Sequence, residues 1–403
     1  MSHRKRRKIE ERDLEGFKYF RKITGLLERL HDAGCGRDRA GNRRLYMDQY
    51  LSLLLLLMFN PICESLRGLQ QVSELKKVQR VLGVPRASLG SLSEAATVFD
   101  ASLLEGLLGD LVQQLRPLPH DVRLDAVSDI LTLVDGTWLT DLPRVARWAL
   151  WQETRRDRRG AKAHVEFEVL RGVPVAATIT PAHTAETAVL KARLQAGRLY
   201  VIDRGYAEYA LFQAIIDAAS SFVGRLHDNA VLEVLEERPL TPEAARAGVL
   251  SDRVGRLGSK ATRDDLRGPV RVVEVACTPH RKPSGKTARG GPEQGDRLRL
   301  VTDRLDLEAD LVSLLYQARW QIETFFRTFK HLLGCRHLIS HSANGITLQT
   351  YAAILACLLI ALWTGRKPTR RTYEMLCYYF AGWADAEEVE AHIARLNKQA
   401  PPA

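Results

Sequence analysis

Two aspartates stand directly after apolar runs of the sequence. Asp135 follows the run 130–134, and Asp203 follows the run 199–202. An acid directly after a buried strand is presented at the edge of a sheet on a rigid support, which suits a catalytic or metal-binding carboxylate. An Asp in that place is also a common turn residue, and Asp135-Gly136-Thr137 predicts a turn that ends the first strand. Position alone therefore leaves both aspartates open between a turn residue and a ligand.

A third acid, Glu323, lies on a helix that we predict from residue 311 to about 333. At about 100° per residue, five polar side chains share one narrow face of this helix. They are Tyr316, Arg319, Glu323, Arg327 and Lys330. The opposite face is apolar and predicts a buried stripe. A solvated charged face would give the same pattern, but three cations and a phenol around one acid also suit a site that holds metal and grips phosphates.

The three acidic segments together resemble the bacterial transposases of the insertion-sequence-four family. The spacing Tyr316-x2-Arg319-x3-Glu323-x6-Lys330 matches that family's Tyr-Arg-Glu-Lys signature. The segments Val134-Asp135-Gly136-Thr137 and Asp203-Arg204-Gly205-Tyr206 resemble its motifs around the two aspartates. The resemblance covers residues 125 to 345 well and the N-terminal part only loosely. Any one motif would be a weak signal, whereas three in the right order are a strong one.

The resemblance implies a catalytic centre built on divalent metal. In such enzymes Asp135, Asp203 and Glu323 would coordinate two Mg²⁺ or Mn²⁺ ions. One ion would activate water or a DNA 3′-OH as the nucleophile, and the other would stabilise the leaving oxygen of an in-line displacement at phosphorus. Three close carboxylates are needed because hard divalent cations prefer oxygen ligands and a concentrated negative charge.

The resemblance also implies contacts with double-stranded DNA, both the terminal inverted repeats of a transposon and a target. Arg319 and Lys330 would hold phosphates of the transposon end, and Tyr316 would position the backbone near the cut. Arg327 and Arg204 are further expected DNA contacts. Because two ends must be brought together, we expect a homodimer in the DNA complex.

The elements that must position these residues change character along the chain. Residues 10 to about 115 have a helical pattern, which the proline-containing segment 116–119 interrupts. The following segments predict, in order, three strands, a helix, a strand, a helix and a strand. Their ranges are 130–134, 164–170, 173–179, 186–195, 199–202, 206–218 and 222–226. This order is typical of an α/β core with helices packed on one mixed sheet.

Beyond residue 229 the sequence predicts an interruption of that core. Strands are expected at 270–276 and 298–301, around a basic, exposed loop at 281–296. The resemblance implies that the core is ribonuclease H-like and catalytic, with a β-rich insertion between the second aspartate and the glutamate. We therefore expect a helical N-terminal domain that binds DNA ends, the catalytic core, the insertion and a helical C-terminal region. Their ranges are 1–116, then 117–229 with 303–345, then 230–302, and finally 346–403.

Composition limits the classes of protein that fit. The 403 residues are 45% hydrophobic and 27% charged, which argues against wholesale disorder, and the net charge of +11 favours a polyanionic partner. The six cysteines show no CxxC spacing, so we expect free thiols and a cytoplasmic, bacterial, DNA-associated protein. The apolar runs 51–59 and 351–363 are shorter than the roughly 20 residues of a membrane-spanning helix, so we expect core helices and no membrane.

Two other functions remain open at this point. A nuclease with the same core would cut DNA without rejoining it, and an inactivated copy would bind transposon ends as a repressor. Loss of one acid would favour the repressor, and none of the three is lost. A plain helical bundle with a charged face leaves the three ordered motifs unexplained.

Overall fold

The computed structural model describes residues 25–398 except 26, 39–40, 61–62, 64, 144, 154–155, 260–261, 277–296 and 334–337. Its strands are β1 Ile130–Asp141, β2 Leu150–Glu153, β3 Arg156–Glu168, β4 Val173–Pro181, β5 Arg198–Ile202, β6 Ser221–Arg225, β7 Leu232–Glu237, β8 Val249–Leu257, β9 Val270–Ala276 and β10 Arg297–Thr302. Its first helices are α1 Leu30–Ala33, α2 Met47–Phe59, α3 Leu66–Ser73, α4 Lys76–Leu82, α5 Leu89–Val98 and α6 Leu104–Gln114. The others are α7 Glu186–Arg193, α8 Tyr209–Asp217, α9 Pro242–Arg246, α10 Ala309–Gln317, α11 Trp320–Leu333, α12 Ala343–Thr364, α13 Arg370–Ala381 and α14 Ala386–Lys398.

The ten strands form one mixed sheet, so the fold is mixed α/β with helical regions at both ends of the described chain. Its order is β2-β3-β1-β5-β6-β10-β9-β8-β7, and β4 pairs with β3. Strands β1, β5 and β6 run parallel to one another, whereas β3 is antiparallel to β1. The carboxyl ends of β5 and β6 therefore meet at one edge of the sheet, beside the middle of the longer β1, and such an edge is the usual place for a site on an α/β sheet.

Strands predicted between residues 230 and 302 are confirmed as β9 and β10, but they extend the same sheet through β10, which pairs antiparallel with β6. The sequence did not predict β7 and β8. Most of β7 is exposed, so it lacks the alternation of a half-buried strand. The division of the chain into four domains stays a prediction, and the predicted basic loop at 281–296 lies outside the described residues.

Helix α12 is the centre of the helical part of the molecule. It packs against β4 and α2, and the Tyr351 hydroxyl donates to the carbonyl oxygen of Ala177 at 3.1 Å. The sequence predicted an apolar run too short to span a membrane. That length was wrong, because the helix is 22 residues long. Its role as a core helix is confirmed, because 89% of its apolar window is buried inside the fold. By length and composition alone it passes the test for a membrane span, as buried core helices also do.

The two faces of the sheet are covered by different helices. Leu131 and Leu133 of β1 join the larger core with α10, α11 and α12, whereas Val134 joins a smaller core with α7 and α8. In the smaller core the rings of Phe212 and Phe222 stack with centroids 4.4 Å apart. Because side chains alternate along a strand, Asp135 lies on the face of α10 and α11, and Gly136 lies on the face of α7.

Candidate active site

Asp135 lies within β1 rather than in a turn, so the turn predicted at Asp135-Gly136-Thr137 is wrong. The strand continues to residue 141, and Asp135 and Gly136 pair with Val165 and His164 of β3. Pairing with a neighbouring strand has overridden the local preference of Asp-Gly for a turn. The Asp135 carboxylate accepts a hydrogen bond from the backbone N–H of Gly136 at 2.7 Å.

Asp203 directly follows β5, as predicted. Its carboxylate accepts a hydrogen bond from the backbone N–H of Gly205 and caps the short 3₁₀ turn 204–206. In the parallel pair of β1 and β5, Leu133 is the partner of Val201. The same register continued by two residues sets Asp135 beside Asp203, on strands spaced about 4.8 Å apart. The two predicted aspartates are therefore neighbours at one edge of the sheet.

The electrostatics of Asp135 reflect a crowded acidic site. Burial raises its pKa to about 6, the Gly136 N–H opposes that rise, and the carboxylates of Glu186 and Asp203 add to it. The guanidinium of Arg319 lowers the pKa of the same group. Charged Asp135 is therefore held at a cost in free energy, which a bound cation would relieve.

The third acid reaches the site through two helices, because the predicted continuous helix is broken between α10 and α11. Ala318 and Arg319 form the break, where Arg319 N–H donates to the Tyr316 carbonyl oxygen at 3.1 Å. Arg319 forms an ion pair of 2.7 Å with Glu323, and its guanidinium lies 5.8 Å from the Tyr316 ring centre. Three members of the signature are thus brought together despite the break.

Arg319 is the cation in the middle of this site. Burial alone would lower its pKa, but Tyr316, Glu323 and Asp203 together raise it above the ordinary value. Burial also raises the pKa of Tyr316, and Asp203 adds to that effect. The buried Nε of Arg319 has no hydrogen-bond partner among the described residues. Arg319 therefore connects Glu323 electrostatically to the aspartates and still has a donor to offer.

The chemistry of the donors fits a hard divalent cation, although the three acids are not gathered into one ligand set. Carboxylate oxygens are what Mg²⁺ and Mn²⁺ prefer. Across the described part of the chain, no three Asp, Glu, His or Cys side chains lie close enough together to hold a metal ion. Asp135 and Asp203 are adjacent, while Glu323 is paired with Arg319. The assignment of all three acids as metal ligands stays a prediction.

The remaining predicted contacts lie on the rim. Arg327 and Lys330 are exposed on α11, one and two turns beyond Glu323, and Arg327 donates to the Thr324 hydroxyl at 3.2 Å. Arg204 is 47% exposed and lies 3.8 Å from a carboxylate oxygen of Asp228. These cations are available to an external anion, and their role in DNA binding stays a prediction.

Two charged residues near Asp135 had no signal in the sequence. Glu186, the first residue of α7, pairs with Lys162 of β3 at 2.5 Å between Nζ and Oε1. Glu186 is also among the charges that raise the pKa of Asp135. Lys162 lies in a strand and Glu186 begins a helix 24 positions later, and no sequence motif links the two residues. Only the packing of α7 on β1 and β3 brings them to the site.

Comparison with known proteins decides the family. Residues 128–359, more than half of the chain, match the sequence model of the transposase DDE domain. The chain belongs to the transposase DDE domain family. All three predicted acids lie inside the matched residues.

Two relatives of this chain are named as transposases. A relative named as the transposase y4zB in Sinorhizobium fredii is 29% identical over 235 residues, covering 58% of this chain and 60% of the relative. A relative named as the transposase of insertion sequence element IS5377 in Geobacillus stearothermophilus is 24% identical over 280 residues, covering 69% and 68%. The matched part thus spans under two thirds of the first relative's length. Among solved structures, the piggyBac transposase synaptic complex with hairpin DNA is similar with a TM-score of 0.41 and 10% identity, covering 97% of this chain and 82% of that one.

Proposed function

We propose that this member of the DDE-domain family is a phosphoryl-transfer enzyme, a cut-and-paste DNA transposase of the insertion-sequence-four type. It cleaves DNA at transposon ends and joins the freed 3′-OH to target DNA, with Asp135, Asp203 and Glu323 as its catalytic acids. The observation that carries the proposal is the register of β1 and β5, which sets Asp135 beside Asp203 under the helix that bears Glu323. The family match supports the reaction class.

We also propose that the core is ribonuclease H-like. Five strands in the order β4-β3-β1-β5-β6, with β3 antiparallel to β1 and with β1, β5 and β6 parallel, support this assignment. In this proposal, residues 1–116 bind transposon ends, residues 230–302 are the β-rich insertion, and residues 346–403 support the core. The protein acts as a homodimer on paired DNA ends in the bacterial cytoplasm, where DNA is its partner and no membrane is needed.

In this proposal the acidic side chains bind the metal ion and the basic ones bind DNA phosphates. Asp135 and Asp203 would hold a divalent cation beside the end of β5, and Glu323 would join them as a ligand when its ion pair with Arg319 is broken. Bound Mg²⁺ or Mn²⁺ would supply activation of the attacking oxygen and stabilisation of the leaving one. Arg319 then turns its unpartnered donor to a phosphate oxygen, since charge-assisted bonds from a guanidinium to phosphate are strong and directional. Tyr316 stacks beside Arg319 and limits where the backbone can lie.

The chemical step is an in-line displacement at phosphorus. The oxygen of water, or later of a 3′-OH, forms a bond to phosphorus while the bond from phosphorus to the leaving 3′-oxygen breaks. The attacking oxygen gives up its proton, and the leaving oxygen takes one. Lys330, Arg327 and Arg204 on the rim hold neighbouring phosphates and contribute affinity that falls with salt.

The test is cleavage of a supercoiled plasmid that carries the element's own two ends. Wild-type protein in Mg²⁺ is expected to excise the segment and insert it elsewhere, and EDTA or Asp203→Ala is expected to abolish both products. Asp217→Asn is the matched control, because that carboxylate pairs with Arg267 on the surface at 2.9 Å. Cut DNA without joined product would indicate a nuclease instead. Tight end binding without cutting would indicate a repressor.

A further inference from the structure

The Glu186 carboxylate occupies the space that a side chain at position 136 would fill. A Cβ added to Gly136 would lie 2.5 Å from Glu186 Oε1 and 3.0 Å from its Cδ. Gly136 has no positive φ in this strand, so its lack of a side chain matters for space rather than for backbone conformation. The residue directly after the first catalytic aspartate thus lets an acid from α7 lie across β1.

Lys162 holds that acid in place from the other side. Its Nζ pairs with Glu186 Oε1 at 2.5 Å, and its Cε would lie 3.3 Å from a Cβ at Gly136. The side chains of Lys162 and Glu186 are 19% and 24% exposed, so solvent weakens their interaction less than at an open surface. A partly buried ion pair therefore lies directly beside Asp135, on the opposite face of β1.

The charge of Glu186 acts on the same neighbouring groups as the charges of Asp135 and Asp203. The buried phenol of Tyr206 has a pKa raised first by burial and then by Glu186, Asp135 and Asp203. Glu186 also raises the pKa of Asp135. Geometry and charge agree that Glu186 belongs to the acidic surroundings of the site, although it makes no direct contact with the reacting atoms.

We propose that Glu186 is a positioning residue of the active site, whose negative charge strengthens the hold of Asp135 and Asp203 on a divalent cation. Lys162 moderates that charge and keeps the carboxylate over Gly136. This inference rests on the proposed function, because it needs the two aspartates to bind a cation. A purely structural ion pair would act differently: losing either partner would then weaken the site in the same direction.

The experiment is a titration of the full-length protein with Mn²⁺, in which free Mn²⁺ is followed by electron paramagnetic resonance without DNA or turnover. Glu186→Gln keeps the shape of the side chain and should weaken Mn²⁺ binding on the order of tenfold, as expected for one charge at close range in a medium of moderate dielectric constant. Lys162→Gln should tighten it about three- to tenfold, because the moderating cation is gone. Glu208→Gln is the control: this acid also lies near α7, accepts from the Thr187 hydroxyl at 3.0 Å, and is 52% exposed.

The outcomes separate the two levels of the proposal. Opposite effects of Glu186→Gln and Lys162→Gln, with Glu208→Gln like wild type, support the positioning role. Equal losses of Mn²⁺ affinity in Glu186→Gln and Lys162→Gln, or no change in either variant, overturn the positioning role. If Mn²⁺ binding depends on Asp203 in that case, the proposed function still stands. Wild-type protein that binds no Mn²⁺ through Asp203 would overturn the proposed function itself. Thermal melting of each variant shows whether the fold is kept.

Discussion

Replacing Asp135 by Asn should stabilise the metal-free protein at neutral pH. The charged form of Asp135 is disfavoured in the fold, since burial and neighbouring acids raise its pKa from an ordinary 3.8 to about 6. An amide of the same shape removes the charge and therefore removes that cost. We therefore expect the proposed catalytic acid to lower the stability of the metal-free fold, as functional groups often do.

The size of the gain follows from the shift in pKa. A difference of about 2 pKa units corresponds to roughly 3 kcal/mol at 1.36 kcal/mol per unit, which is an upper limit because the side chain is partly exposed. We expect an increase of about 1–3 kcal/mol in the free energy of unfolding at pH 7.5. Because the folded-state pKa is raised, wild type regains stability as pH falls through about 6. The advantage of Asp135→Asn should therefore vanish near pH 4, around the unfolded value.

The assay is urea unfolding followed by tryptophan fluorescence, in EDTA, at several pH values between about 4.5 and 8. Adding Mn²⁺ should then stabilise wild type and leave Asp135→Asn unchanged, because a ligand that binds only the folded state stabilises it. Asp217→Asn is the control for loss of a surface carboxylate and should change stability by less than about 1 kcal/mol. A variant less stable than wild type at pH 7.5, or a gain that does not vary with pH, would refute the argument.

Three further substitutions test other parts of the structure. Gly136→Ala should push the flexible end of Glu186 aside and weaken Mn²⁺ binding several-fold. The variant should melt within a few degrees of wild type, and a large loss of stability would mean that the backbone has no room for the added Cβ. Arg319→Gln should free Glu323, so Mn²⁺ binding without DNA should tighten while binding of end DNA in a gel-shift assay weakens; a loss of both would assign Arg319 a structural role. Arg271→Met should lower the free energy of unfolding in urea by about 3–5 kcal/mol, since its buried partner carboxylate, 2.6 Å away, would remain charged and unpaired; a loss below about 1 kcal/mol would contradict this.

Local sequence patterns predicted much of the part of the chain that matches the DDE-domain model. The apolar runs before Asp135 and Asp203 predicted β1 and β5, and the structure confirms both strands. Hydrophobic alternation predicted β4 and the C-terminal part of β3, from residue 164, and later β9 and β10. These elements could be predicted because a strand buried on one face alternates apolar and polar residues, whereas a fully buried strand is a short continuous apolar run.

Contacts between distant segments decided the details of the site. Asp135-Gly136 has the local signature of a turn, yet pairing with β3 keeps it in a strand. The break at Ala318–Arg319 has no Gly or Pro to announce it, and it lets Arg319 face both Glu323 and the aspartates. Strand β7 went unpredicted because its outward-facing residues follow no period.

The identity and order of the three acidic motifs are properties of the sequence, as are the elements that carry them. Which groups surround each charged side chain is decided by the tertiary structure and not by the sequence pattern. Asp135 lies beside Asp203 because of one strand register, and Glu186 lies across Gly136 because α7 packs on β1. Charges interact through space, so Glu186 acts on Asp135 from 51 positions away in the chain, and only tertiary packing sets the distance between them.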